Sequence, residues 1–215
     1  MKLEGLTINF LGDSITEGCG TTSPDKAFHQ LIKDKYNLKY AYNYGVGGTR
    51  IARQFEPSKG DTKYDLTFEI RAEVMDKNAD AIVVFGGTND YGHGDVPFGN
   101  PDSDNEDIYT FCGAVNSLIS KLERDYPKAK VVFMTPIHRL SETEVQPTNR
   151  DSKILSDYVE AIRTICKKRN ISVIDLFGIN PLDPADSSLV PDGLHPNNEG
   201  HAVMAKVIAE ELLKI

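Results

Sequence analysis

Five short runs of apolar and β-branched residues, at 6–11, 40–44, 79–85, 130–135 and 171–176, recur along the chain with mixed or amphipathic stretches between them. The stretches near 26–35, 66–77, 108–125, 151–169 and 198–214 read as helices. The fourth is clearest, because Ile154, Leu155, Tyr158, Val159, Ile162, Ile165 and Cys166 form one apolar stripe. Regular alternation of buried strands and helices constrains the architecture strongly: such strands pair in parallel and need helices on both faces. The expectation is a single α/β domain spanning 1–215, a three-layer α/β/α sandwich around a mainly five-stranded parallel sheet. The sequence carries no internal repeat and no low-complexity linker.

The connections divide into two kinds. Those entering strands are short, such as Asn78-Ala79-Asp80 and Tyr126-Pro127-Lys128-Ala129, while those leaving strands, at 45–61, 86–107, 136–150 and 177–197, are long and rich in Gly, Pro and Asp. Loops beyond about 12 to 15 residues in a compact domain are usually functional or disordered. In a parallel sheet all four fall at the carboxyl edge, where α/β proteins bind ligands. The first strand ends at that edge with Phe10-Leu11-Gly12-Asp13-Ser14-Ile15-Thr16. Ser14 is therefore placed as an attacking oxygen, and the dipole of a following helix would favour developing negative charge. A serine hydroxyl is a weak nucleophile alone. It needs a base for its proton and donors for the oxyanion.

Three later stretches can supply them. Asn43-Tyr44-Gly45-Val46-Gly47-Gly48-Thr49-Arg50 offers glycine backbone N–H groups that can approach a substrate oxygen, although a glycine run alone is commonly a turn. Arg50 stands where a dinucleotide fingerprint would place its third glycine. In Gly86-Gly87-Thr88-Asn89-Asp90, Asn89 offers a neutral amide donor, and Asp90 reads as a structural brace for its loop. In Asp192-Gly193-Leu194-His195-Pro196-Asn197, His195 suits a general base, with Asp192 three residues away to fix its tautomer.

Together, Gly12-Asp13-Ser14, Gly48, Gly87-Thr88-Asn89-Asp90 and Asp192-x-x-His195 resemble the SGNH hydrolases, or GDSL-type lipases and esterases, in order and placement from residue 12 to residue 195. The resemblance implies Ser14 as nucleophile, His195 as base and then acid, and Asp192 as the group orienting His195. It implies an oxyanion hole made by the N–H of Ser14, the N–H of Gly48 and the side-chain amide of Asn89, with Gly47 or Gly45 as alternative assignments for the second donor. It also implies a flavodoxin-like sandwich with no metal and no organic cofactor. No Gly-x-Ser-x-Gly elbow of the α/β-hydrolases occurs in the chain.

The remaining features narrow the function. With 24 basic and 32 acidic residues the net charge is −8, and no basic block stands out, so a nucleic-acid partner is not expected. Cys19, Cys112 and Cys166 are odd in number and widely spaced, which suits a reducing compartment, and no run has membrane-spanning length; a cytoplasmic protein without membrane insertion is the expectation. The segment 91–107, with Tyr91, His93 and Phe98 among glycines, is expected to form a wall or lid over the acyl pocket. Asp102, Asp104, Glu106 and Asp107 lack the glycine and final glutamate of a calcium loop and read as a solvated acidic loop. His93 and His138 have no ligand-type partner in the sequence, and His201 falls on the last helix. Arg50, Arg53, Arg139 and Arg150 lie in the long loops, where they could select an anionic substrate.

The leading expectation is serine-dependent hydrolysis of small acyl esters of a carbohydrate or other polar alcohol, the small-molecule ester being the partner. The alternatives are a lysophospholipase or thioesterase acting on longer acyl chains and, from another class, a flavodoxin-like nucleotide or phosphate-binding module with Ser14 and Thr16 holding the phosphate. Glu17 argues against the last by its charge.

Overall fold

A computed structural model describes residues 1–149 and 151–215, so Arg150 lies outside the described residues. Five strands, β1 (Thr7–Gly12), β2 (Tyr40–Gly45), β3 (Ala81–Phe85), β4 (Lys130–Met134) and β5 (Ser172–Ile174), form one sheet in the order β2-β1-β3-β4-β5. Every pairing is parallel; Gly12 stands beside Gly45 on one side and Phe85 on the other. This is the flavodoxin-like order, with the topological switch point between β1 and β3. Ser14 lies two residues past the end of β1.

The strands split their side chains between two cores. Ile82 and Val84 of β3 pack with α3 (Phe68–Ala72), α5 (Phe111–Asp125) and α6 (Leu155–Lys168). Ala81, Val83 and Phe85 pack with α2 (Phe28–Tyr36) and α8 (Asn198–Lys214) on the opposite face. The period-2 alternation of one central strand thus fills both outer layers. The three-layer sandwich and the five parallel strands expected from the sequence are both present.

Element lengths differ in instructive places. The expected helix at 66–77 is α3, only five residues long, because the chain turns after Ala72 so that the Asp76 N–H donates to the Tyr44 hydroxyl and its carbonyl accepts from Asn9 Nδ2, both on neighbouring strands. Three short helices, α1 (Ser14–Glu17), α4 (Thr88–His93) and α7 (Leu176–Ile179), fall where only loops were expected. The segment 91–107 departs most from the expected lid. Tyr91 is fully buried at the end of α4 and donates its hydroxyl to Ser141 O at 2.5 Å, while Phe98 packs against Phe111 and Tyr158. Its aromatic residues belong to a core, and hydrophobic burial draws them inward where spacing alone gave no direction.

Candidate active site

The turn from β1 into α1 is fixed by burial. Gly12 is required there, because a Cβ would lie 2.0 Å from Thr16 Oγ1 and 2.8 Å from Phe85 O. Asp13 caps α1 by accepting the Ile15 N–H at 3.1 Å, and burial pushes its carboxyl up to about 6 against that bond and the nearby Arg71 charge. Ser14 is the first residue of α1, so its own N–H has no intrahelical acceptor, nor any other among the described residues. Since α1 is a single turn, its dipole adds little to this exposed donor.

Ser14 Oγ lies 2.9 Å from His195 Nε2, and His195 Nδ1 lies 2.7 Å from Asp192 Oδ2. The other oxygen of Asp192 accepts the N–H groups of His195 at 2.6 Å and Leu194 at 2.9 Å. Burial pushes the Asp192 carboxyl up, but these N–H groups and the imidazole outweigh it and hold the group below its ordinary value. Asn197 then caps α8 by accepting the Gly200 N–H at 3.0 Å, so the turn carrying the acid and the imidazole is pinned directly before the last helix. A hydroxyl, an imidazole and an ionised carboxylate in this line can pass the hydroxyl proton to Nε2 while Nδ1–H stays bonded to the acid.

The turn directly after β2, at 45–49, offers one free donor among the described residues. Gly45 N–H goes to Asn43 Oδ1, Val46 N–H to Gly12 O, Gly47 N–H to Glu17 Oε2 at 2.8 Å and Thr49 N–H to Val46 O. From Gly45 to Thr49, only the Gly48 N–H has no acceptor among the described residues. Gly48 has φ +76°, and a Cβ there would meet Tyr64 Cε1 at 2.2 Å, so both its conformation and its neighbour demand glycine. Asn89 Nδ2 donates to Thr49 O at 3.1 Å, which fixes the amide beside Gly48 and uses one of its two N–H bonds. Asp90 is structural, as expected from sequence, but it braces the loop after β2, through the N–H groups of Ile51 and Ala52, and not the loop that carries it.

One residue central to this arrangement has no role in the sequence reading. Arg71, on α3 and 6% exposed, donates to Gly12 O at 2.6 Å, Tyr44 O, Leu66 O at 2.9 Å and Thr49 Oγ1 at 2.8 Å. It therefore ties the ends of β1 and β2 to the Gly48 loop. Burial lowers its guanidinium to about 10, with Asp13 and Glu17 pulling it back up. Its sequence signal is an arginine three residues after Phe68 and next to Ala72, on the apolar face of a short helix.

The other candidates are engaged in structural contacts around this centre. Arg50 is buried and paired with Asp95 at 3.0 Å. Arg139 donates to Thr88 O at 3.2 Å, and Arg53 lines a neighbouring cleft. His138 is bonded to Glu142 and stacks on Phe177, and His201 is buried on α8, as expected for that helix. Of the acidic loop, Asp104 pairs with Lys168 and Glu106 accepts the Ser120 hydroxyl. No helix is long and apolar enough to cross a membrane among the described residues.

A parallel sheet in the order 2-1-3-4-5, with a serine–histidine–aspartate line at its carboxyl edge, defines a class of α/β hydrolytic enzymes. The chain belongs to the GDSL-like lipase/acylhydrolase family, whose model matches residues 10–203, and this places it among the carboxylic ester hydrolases. A crystal structure of a protein from Lactobacillus plantarum is 29% identical, with 98% of each chain covered and a TM-score of 0.80. A possible lipase from Chitinophaga pinensis is 23% identical, with 97% of this chain and 98% of that one covered and a TM-score of 0.72. An acetylxylan esterase of Xylanibacter ruminicola is 25% identical over 97% of this chain, but this chain spans only 43% of that relative's length.

Proposed function

We propose that the chain hydrolyses small acyl esters of a carbohydrate through a covalent acyl-serine. The observation that carries this reading is the Ser14 Oγ–His195 Nε2–Asp192 line, at 2.9 Å and 2.7 Å, beside the 45–49 turn, in which the Gly48 N–H alone has no acceptor among the described residues. His195 Nε2 takes the Ser14 proton as Oγ bonds to the ester carbonyl carbon, and the carbonyl oxygen becomes an oxyanion. The Ser14 N–H, the Gly48 N–H and the second N–H of Asn89 receive that charge. Collapse breaks the bond to the alcohol oxygen, which leaves with the proton from His195. Water then repeats the sequence on the acyl-serine, giving its proton to His195, and the carboxylic acid departs as Ser14 recovers its hydrogen.

The small acyl group and the sugar are supported by the acetylxylan esterase relative and by the polar, aromatic-lined surroundings of the site. The phosphate-binding alternative, with the anion on Ser14 and Thr16, is opposed by the charge of Glu17, whose carboxylate accepts the Gly47 N–H beside Ser14. The test is turnover of p-nitrophenyl esters of increasing acyl length and of acetylated xylo-oligosaccharides by the native protein and Ser14→Ala. Activity on acetyl esters that vanishes in the variant is the expected result. A maximum at long acyl chains would overturn the small-acyl assignment, and an active Ser14→Ala would overturn the mechanism.

A further inference from the structure

Beside the oxyanion loop lies a cleft of about 290 Å³, near the lower end of the ~300–1,000 Å³ usual for small-molecule sites. Tyr64 forms the wall between the two. Its ring closes on Gly48, and the same residue lines the cleft. Phe55 opens onto it, 64% exposed, with its ring stacked on Tyr109 at 5.1 Å and 8°. A large aromatic held flat against a second ring and left facing solvent is a preformed platform, because the stacking partner fixes its orientation before any ligand arrives.

The rest of the lining is mixed: Pro57 and Ile70 are apolar, and Arg53, Gln54, Asp65 and Thr67 are polar. Arg53 and Gln54 border the platform, and the Arg53 guanidinium forms no ion pair among the described residues. Thr67 lines the floor; it is 3% exposed and its hydroxyl has no partner among the described residues. A buried hydroxyl without a partner is costly unless something bonds to it. An acyl chain would leave the hydroxyl and the guanidinium unpaired. A pyranose ring satisfies both kinds of wall, with its C–H face on the aromatic pair and its hydroxyls at the polar rim.

We propose that this cleft is a sugar-binding subsite that receives a pyranose ring of the oligosaccharide whose acyl ester is cleaved at Ser14. The assignment rests on the esterase reading for the last clause only, since ring binding needs no catalysis. Contact between Tyr64 and Gly48 makes the subsite continuous with the oxyanion loop. A ring seated on Phe55 therefore positions a neighbouring acylated sugar for attack.

Two measurements test it separately. Calorimetric titration of Ser14→Ala with unsubstituted xylotetraose and mannotetraose reads the cleft alone. Binding of either sugar is expected, weakened about threefold to tenfold by adding Phe55→Ala, the range that one aromatic stacking contact supports; the stronger of the two identifies the glycan. No binding of either sugar, or binding indifferent to Phe55→Ala and to Thr67→Val, would overturn the proposal. Kinetically, Phe55→Ala should raise KM for acetylated xylo-oligosaccharides by a similar factor more than KM for p-nitrophenyl acetate, with the melting temperature kept. An equal loss on both substrates would show a merely structural role. If the native protein hydrolyses neither ester while Ser14→Ala still binds the sugars, the catalytic reading fails and the subsite stands.

Discussion

The two halves of the Ser14–His195 pair are held in opposite ways. Ser14 is 7% exposed and Asp13 2%, set between strands and braced by Arg71 through four acceptors on three segments. The side chains of His195 and Asp192 are 25% and 56% exposed, and their turn is tied mainly by its own hydrogen bonds and by the Leu140 N–H to Gly193 O at 2.9 Å. The serine hydroxyl is placed by the sheet and the imidazole by a surface turn. Changes on the first side should therefore reach stability, and changes on the second should reach turnover alone.

The largest effect tests the second half. His195→Ala should lower turnover of p-nitrophenyl acetate by about 10⁴-fold or more, as removal of a triad base does. Its unfolding free energy in urea should stay within about 0.5 kcal/mol of the native value. A large loss of stability would break the contrast between the halves. Asn89→Ala should cost about 10² to 10³ in turnover, the usual effect of losing one oxyanion donor. An unchanged rate would remove Asn89 from that role.

Arg71→Met tests the first half. It removes the guanidinium donor from the carbonyls of Gly12, Tyr44 and Leu66 and the neighbouring charge from Asp13, and should cost about 3 to 5 kcal/mol in urea unfolding, with turnover falling as well. A variant as stable as the native chain would show that the strand ends hold themselves.

The smallest effect at neutral pH concerns His29, packed between Phe10 and Phe28 beneath the nucleophile. Burial lowers His29 to about 4, with His201 pushing the same way. The unfolded chain takes up this proton near 6.5 and the folded chain only near 4, so stability present above 6.5 drains away as pH falls between those values. His29→Phe should accordingly be near neutral at pH 7 and become stabilising toward pH 4, by at most about 3 kcal/mol. Buried His201, also lowered to about 4, acts in the same sense as His29, while buried Asp13 and Asp90, each raised to about 6, act in the opposite sense over nearly the same range, because there the folded state holds the extra protons. A native stability that is almost flat between pH 6 and 4, and rises toward acid in His29→Phe, is the expected pair of curves. Parallel curves would remove His29 from the balance.

What the sequence made legible follows the same division between local and distant causes. Asp192 and His195 stand three residues apart before a helix, and Ser14 directly follows a buried strand, so their placement was readable from neighbours in the chain. The boundaries of the last helix were readable too, since Asn197 after Pro196 is a strong amino-terminal cap. Gly48 was separable from Gly45 and Gly47 only in three dimensions, because the Asn43 and Glu17 side chains claim the other two N–H groups. Arg71 and Tyr64 act on strand ends and a loop distant from them in sequence, and such contacts leave no local pattern. The burial of Tyr91 and Phe98 depends on α6 and on the 136–149 loop, which the glycines around them could not announce.

The bond between Ser14 and His195 joins residues 181 positions apart. During synthesis the segment bearing the serine emerges and begins to fold long before the one bearing the imidazole exists. On the proposed mechanism, a chain whose last segment has yet to dock carries a nucleophile with no base. A carboxyl-truncated copy would then be silent toward esters, and hydrolysis would begin only once the fold is closed.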